Sequence, residues 1–503
     1  MEDQRRQQET AELEDLLSTQ KIAEITALIR QNIALAQILE RLGLDKTTQA
    51  LPKAKQLGEA FHGQITKVPP ETVEQTVNEA FEKCGEIIEE NRITREVLSS
   101  IIELLWVYAR YDHPITKLLE MIISKIEGTE DTKVFTTGLA AIEAIVKQFT
   151  PTMKIVVEKD GERRETDFLE YDRTLEKDNW EIKEYIRGGK VVVIGNVYGG
   201  THAQGEDLIR ETGRRVERMT IAQFHEKGIP HDADMVYFET SENPTLEISP
   251  VKKILAKVKE LEEKQNRKIY TVADNTFTPL TVAPKALGVD FVINSCTKYF
   301  NGKSEDPGGA VSGEEKLLAQ LKDTKRGKRM VEGASMGIHT AKNHLKNIEG
   351  LPERLLFQTK NMRALQRIAT ELYLGFTCIE LKEPGFADAY AEIRDPKMPQ
   401  SISNGMITID FGSLERAEEF TDRMIEEGAA KGAVSLGAAD DDISLASGPN
   451  TYISIPAMTT HSEMTDAQLE KAGVTKGMVR ISCGTDQSLP AKFKKVVESL
   501  KKT

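Results

Sequence analysis

The chain has 503 residues, 39% hydrophobic and 29% charged, an ordinary globular composition for roughly three domains of ~150 residues, or two with an appendage. Its 80 acidic against 67 basic residues leave a net charge of −13, which excludes broad nucleic-acid binding but permits a local basic pocket for one anionic ligand. Four scattered cysteines, Cys84, Cys296, Cys378 and Cys483, show no metal-ligand spacing and are read as reduced, buried thiols.

The first residues, MEDQRRQQETAELEDLL, are polar and lack the apolar core of a signal peptide. No run of ~20 apolar residues is found. The expectation is a soluble, cytoplasmic protein with no membrane partner. Residues 1–105 read as helix: Leu13, Leu16, Leu17, Ile22, Ile25, Leu28 and Ile29 recur at three- and four-residue spacing, as do Ile38, Leu39 and Leu42. Pro69–Pro70 followed by Glu71 and Thr72 marks a helix start. Val97, Leu98, Ile101, Ile102 and Leu105 give the stretch Thr94–Trp106 an apolar face. With no fixed-period repeat, this segment reads as a packing or oligomerisation appendage.

From about residue 130 short apolar runs alternate with helical patterns. Val191–Ile194, Met235–Phe238, Ile269–Ala273 and Phe291–Ile293 read as buried strands, with helices at Leu139–Phe149 and Val251–Lys264. The alternation predicts an α/β fold with a mainly parallel sheet covered on both faces. The charged stretch Met153–Lys190 reads as a surface excursion. Beyond residue 346 the pattern becomes α+β, with a helix at Leu414–Ala429 and strands at Met406–Phe411, Tyr452–Ile455 and Met478–Ser482. The expected organisation is a helical extension (1–105), a large domain (106–345) and a small C-terminal domain (346–503).

The most informative residues lie in VADNTFTPL (272–280) and DFVINSCTKYFNGKS (290–304). Asp274 closes one apolar strand, where open α/β sheets place ligands. Lys298 follows another, where burial lowers an amine's pKa and makes it nucleophilic. Ser295 and Thr297, two residues apart at the strand end, are expected on one side, where both hydroxyls could meet one phosphate. Read alone, a strand-end lysine is more often a solvated surface residue. The Asp plus Ser-x-Thr-Lys combination is more specific.

These residues resemble the Cys/Met-metabolism pyridoxal-phosphate (PLP) enzymes, a family that includes cystathionine γ-synthase, cystathionine lyases, methionine γ-lyase and O-acetylhomoserine sulfhydrylase. Four further motifs extend the likeness over about residues 104–487: YARYDHPIT (108–116), FTTGLAAIEAIV (135–146), NVYGGTHAQG (196–205) and FETSENPT (238–245). A fifth is C-terminal, in AVSLG (433–437), AMTTHSEM (457–464) and MVRISCG (478–484). The resemblance implies the aspartate-aminotransferase-like fold type I of PLP transferases. It implies pyridoxal 5'-phosphate anchored covalently on Lys298, with Asp274 on the ring nitrogen and Ser295, Thr297, Gly138 and Leu139 on the phosphate. Tyr198 would stack on the ring and move a proton, Asn243 would meet the ring hydroxyl, and Glu239 would buttress the site. Tyr108 and Arg110 would reach the phosphate of an adjacent subunit, and Tyr108 the substrate too, which implies a homo-oligomer, dimer or tetramer. Arg480 would bind the substrate carboxylate, Ser435 would orient the lysine amine or substrate, and His461 reads as structural. No metal site is expected.

Asp112 and His113 stand where the family pattern has Gly-Asn, Ile115 is an extra residue, and RISCGTDQ departs from the usual ending. The resemblance implies sulfur amino-acid chemistry at the γ-carbon. γ-Replacement on an acylated homoserine is the first reading, because Val434 stands where cystathionine-handling members often carry Glu. A γ-lyase is the alternative. From another class, a non-catalytic protein of the same fold would use the helical segment to recruit a partner.

Overall fold

The computed structural model describes residues 2–46, 67–104, 109–167, 175, 177–186, 188–323, 325–372, 374–378, 380, 386–437, 450–462 and 464–500. Among the described residues, fifteen strands run in chain order. They are β1 (Asp131–Phe135), β2 (Lys154–Lys159), β3 (Glu162–Asp167), β4 (Glu181–Ile186), β5 (Lys190–Ile194), β6 (Arg215–Met219), β7 (Met235–Glu239) and β8 (Tyr270–Asp274). β9 (Phe291–Asn294), β10 (Gly309–Gly313), β11 (Phe376–Thr377), β12 (Met406–Asp410), β13 (Lys431–Gly432), β14 (Tyr452–Ser454) and β15 (Met478–Ser482) follow.

The large sheet has the order β1-β10-β9-β8-β7-β5-β6. The five strands from β9 to β6 are parallel, and β10 and β1 close one edge antiparallel. β7, β9, β10 and β1 are buried along their whole length. That is why the β7 and β9 runs read as continuous apolar strands rather than alternating ones. The parallel register brings the carboxyl ends of β7, β8 and β9 to one edge of the sheet, where Glu239, Asp274 and Asn294 stand side by side. β1 and β10 went unread, because DTKVF and GAVSG carry no apolar run.

Among the described residues, five helices precede the sheet: α1 (Glu2–Ser18), α2 (Gln20–Arg41), α3 (Pro70–Glu90), α4 (Arg95–Ile102) and α5 (Pro114–Glu127). Contrary to the expectation, α2 is long and apolar enough by composition to cross a bilayer. Its apolar face is instead buried inside the protein: Ile22, Ile25, Ile29, Leu35, Ile38 and Leu39 join one cluster with Ile115, Leu118, Leu119 and Ile122 of α5. Asn32 Nδ2 donates to the Leu118 carbonyl at 2.9 Å, and Lys21 Nζ meets Asp395 Oδ2 at 2.5 Å. The helical segment therefore shares a core with the sheet and is not a separately packed appendage. His113, in its departure from the family pattern, caps α5: its ring Nδ1 accepts from the Ile115 N–H at 3.1 Å, and Pro114 takes the first helical position.

Within Met153–Lys190, expected as an insertion or surface excursion, β2, β3 and β4 form a three-stranded antiparallel sheet. Ile155, Val157 and Leu175 bury a small core against it. Cross-strand ion pairs such as Lys154–Glu165 (2.6 Å) hold its outer face. The charged residues mask the period-2 pattern in the sequence.

The C-terminal sheet, β11-β12-β15-β14-β13, has its own core of Ile407, Ile409, Val479, Ile481, Phe420 and Phe493. The sequence-predicted strands Met406–Phe411, Tyr452–Ile455 and Met478–Ser482 correspond to β12, β14 and β15.

Because Ile29 is fully buried in the cluster shared with α5, Ile29→Ala should cost about 2–4 kcal/mol. Calorimetry should show the loss in the main unfolding transition. A separate early transition, with the main one unmoved, would contradict the shared core.

Candidate active site

The cavity at the carboxyl edge of the large sheet measures about 220 Å³. Its floor is set by two carboxylates that the sheet forces together. Glu239 and Asp274 are direct register partners at the ends of adjacent parallel strands. Both carboxyls are pushed upward by burial, and Glu239 is raised further by the charge on Asp274. Two such groups cannot both ionise in a buried site. Asp274 has the better anion partners: the Thr276 N–H reaches its Oδ1 at 2.9 Å and the Tyr237 hydroxyl its Oδ2 at 3.2 Å. Glu239 therefore holds the proton and Asp274 the charge. The remaining Glu239 oxygen, Oε1, accepts the Tyr198 N–H at 2.7 Å.

Tyr198 precedes α7 (Gly199–Thr212), lines the cavity and is 45% exposed. Its loop is held from below by Glu242, whose carboxylate accepts from the Asn196 N–H and side-chain amide, both at 2.8 Å. The two following glycines are required by close approach. A Cβ at Gly199 would lie 2.3 Å from the Thr460 carbonyl, and one at Gly200 would lie 2.5 Å from the Tyr198 ring.

Lys298 lies in the turn after β9, not on the strand. Its Nζ contacts Ser435 Oγ at 3.2 Å, and Ser435 Oγ meets Ser304 Oγ at 3.1 Å. Burial, reinforced by the Arg480 charge, brings the amine down to about 8. The same turn carries Ser295 and Thr297, so the expectation that strand alternation aligns them is corrected. Both line the cavity, but through the turn. Thr297 Oγ1 is also engaged by Gly308, whose N–H it accepts at 3.0 Å.

Across from the turn, α6 (Gly138–Phe149) presents its N-terminus, with Gly138 and Leu139 in the cavity wall. Its cap is Thr137, whose hydroxyl accepts from Ala140 N–H at 3.1 Å. A Cβ at Gly138 would come within 3.2 Å of the Ser295 side chain, so the glycine lets the Ser295 hydroxyl approach the helix terminus. The result is an anion-binding corner of helix amides and hydroxyls.

Arg480 comes from β15 of the small sheet and is only 2% exposed. Its guanidinium donates to Asn243 Oδ1 and to the Val434 carbonyl, both at 2.9 Å. Burial brings it down to about 10, so it keeps its charge at neutral pH. Asn243 and Val434 line the cavity beside it.

Lys298, Asp274, Glu239, Ser295, Thr297, Gly138, Leu139, Tyr198, Asn243 and Arg480 thus surround one cavity. Ser435 reaches it through Lys298. Arg110 does not line it: its guanidinium donates to the Met330 carbonyl at 3.1 Å. Tyr108 lies outside the described residues. His461 is buried and is not in the cavity wall; burial, then the Arg480 charge, brings its ring down to about 4. Sequence reasoning missed Tyr237, Thr276, Thr201 and Ser241. Thr276 and Thr201 stood in the quoted motifs, two residues past Asp274 and directly after the glycine pair. Tyr237 is buried in its strand and gave no signal.

A half-buried lysine that shares a cavity at the carboxyl sheet edge with an anion corner and a carboxylate suits an enzyme that handles an anionic carbonyl cofactor. Solved structures share the fold. A cystathionine γ-synthase from Xanthomonas oryzae, 21% identical, covers 80% of this chain and 89% of its own at a TM-score of 0.62. A cystathionine γ-lyase from Lactobacillus plantarum, 20% identical, covers 79% and 89% at 0.61. These are PLP enzymes of fold type I. Among sequence relatives, a methionine γ-lyase of Arabidopsis thaliana is 25% identical over 77% of each chain. A cystathionine β-lyase of Bacillus subtilis is 26% identical over 76% of this chain and 83% of its own. The chain belongs to the Cys/Met metabolism PLP-dependent enzyme family, which it matches over residues 182–489. It is a PLP-dependent enzyme, so the reading as a non-catalytic protein of this fold does not hold.

The cavity fits the cofactor. Ser241 Oγ is buried in its wall and has no hydrogen-bond partner among the described residues. A ring with polar substituents would supply such a partner.

Because the Lys298 amine sits near 8 rather than 10.5, attachment of PLP to the apoprotein should accelerate as pH rises from 6 and be half-maximal near pH 8. Stopped-flow absorbance measures this. A rate still climbing tenfold per unit above pH 9 would show an unperturbed lysine.

Proposed function

We propose that the enzyme catalyses γ-replacement on an O-acylated homoserine, with a thiol as acceptor. Bound PLP supplies the electron sink that stabilises a carbanion next to the amino group. This reading assigns Lys298 as the cofactor's covalent anchor and, once displaced, as the base that moves protons at Cα and Cβ. Its lowered amine basicity suits that role at neutral pH. Asp274 holds the ring nitrogen protonated. Ser295, Thr297 and the amides of Gly138 and Leu139 take the phosphate. The Asn243 amide nitrogen, left over once its oxygen accepts from Arg480, meets the ring hydroxyl.

Arg480 offers a fork to the substrate carboxylate. Tyr198, in the cavity wall, would deliver the proton to the departing γ-substituent. Ser435 steers the lysine amine. Arg110, docked away from its own cavity, serves a neighbouring subunit together with Tyr108, so the working enzyme is a homo-oligomer of this soluble chain.

The observation that carries the choice of substrate is the outer wall of the cavity. Val434 lines it and is 57% exposed. Among the described residues the only lining acids, Glu239 and Asp274, lie at the buried end. An uncharged γ-substituent fits that wall, whereas a second ammonium group there would find no counter-ion. The second reading, γ-elimination, is favoured by the methionine γ-lyase among the relatives.

Assays with O-acyl-homoserine plus a thiol, cystathionine and methionine, run side by side, test the choice. The acyl ester should give the highest kcat/KM, and faster turnover of cystathionine would overturn it. Lys298→Ala should abolish turnover, and retained elimination would remove the lysine from its role. Tyr198→Phe should lower kcat by roughly 10²–10⁴-fold with KM nearly unchanged. Arg480→Ala should mainly raise KM, by about tenfold to a hundredfold.

A further inference from the structure

Glu127, the last residue of α5, is a fully buried carboxyl outside the cavity. Its position is unfavourable in two ways. It is fully buried, and it sits at a helix carboxyl terminus, where the dipole repels negative charge. Burial pushes it up to about 7, and the charge on Asp274 adds to this, while two amides and Lys21 of α2 pull it back. The other titratable neighbours are Cys296, raised by burial and by Glu127, and Asp395, which holds Lys21. A glutamine would fill the same space without that cost, so the carboxylate is retained for what it binds.

It binds both strand ends of the cofactor site. Asn275 Nδ2 donates to Glu127 Oε2 and Asn294 Nδ2 to Oε1, both at 2.9 Å. Asn275 follows Asp274, and Asn294 precedes Ser295. Asn275 cannot turn round, because its Oδ1 accepts from Thr278 Oγ1 at 2.6 Å and its Nδ2 also reaches the Val282 carbonyl at 3.1 Å. A group serving two inward-facing amides must accept at both of its atoms. A carboxylate does, and a carboxamide does not.

We propose that Glu127 is a positioning residue of the cofactor site, its two oxygens setting the spacing between Asp274 and Ser295 and so between the ring-nitrogen and phosphate contacts. The inference rests on the reading of Asp274 and Ser295 as those contacts. In Glu127→Gln the new side-chain amide N–H would face the N–H donor of one of the two asparagines. Asn275 is pinned, so Asn294 turns and carries Ser295 with it.

The test is the dissociation constant of PLP for the full-length apoprotein, followed by absorbance, alongside the apoprotein's Tm. Glu127→Gln should weaken PLP binding by about tenfold or more, with the apoprotein Tm within about 4 °C of wild type. Adding Asn294→Asp, which reverses donor and acceptor, should restore the affinity to within about threefold of wild type. Unchanged affinity in Glu127→Gln, or a double variant as weak as the single one at wild-type Tm, would sink the proposal. If Glu127→Gln gives no folded apoprotein, Asn294→Ala removes the same bond from the strand side and is judged by the same thresholds. Ser295→Ala and Asp274→Ala run beside them. If these two weaken binding and Glu127→Gln does not, only the Glu127 inference fails. If Glu127→Gln weakens binding and neither of them does, the reading of the contacts fails and takes the inference with it.

Discussion

Two carboxylates placed in register at the ends of adjacent parallel strands organise this site. Glu239 and Asp274 are brought together by the sheet hydrogen bonds between β7 and β8, not by any attraction of their own. Burial and mutual repulsion divide their roles: one keeps its proton, and the other keeps its charge. The protonated member holds the Tyr198 loop through a backbone amide, while the ionised member faces the cavity with a phenol and an amide as its supports. A single electrostatic conflict thus sets the floor and one wall of the pocket.

The other walls come from distant parts of the chain. The small sheet lends Arg480, and the loop before β14 lends Val434 and Ser435. The substrate side of the cavity therefore depends on how the two sheets meet. The N-terminal helices contribute from behind. α2 shares its core with α5, and α5 ends in Glu127, which reaches the strand ends beside Asp274 and Ser295. This gives the N-terminal helices a physical connection to the site, and none of their described residues lines the cavity.

Legibility followed the length scale of the signal. Val191–Ile194 and Phe291–Ile293 were readable because buried parallel strands leave continuous apolar runs. Lys298 and Asp274 were readable because motif spacing survives wherever backbone geometry demands it. β1, β10 and the β2–β4 sheet were not, because DTKVF, GAVSG and a run of alternating charges carry no apolar pattern of their own. Their strands form only once partners supply the hydrogen bonds. Tyr237 and Glu127 were invisible for a related reason. A tyrosine in a core strand and a glutamate at a helix end look ordinary until the carboxylate and amides they meet are placed beside them.

The sequence by itself determined the α/β class, the family and the residue types that can anchor, protonate and bind, since these rest on local periodicity and motif spacing. Only the tertiary structure decided which of them share a cavity and which carboxyl carries the charge. It also decided that Arg110 lies away from its own pocket, and that Ser295 and Thr297 are aligned by a turn rather than a strand. Those outcomes depend on burial, strand register and the meeting of distant elements. Each is a sum over neighbours that no short stretch of sequence contains.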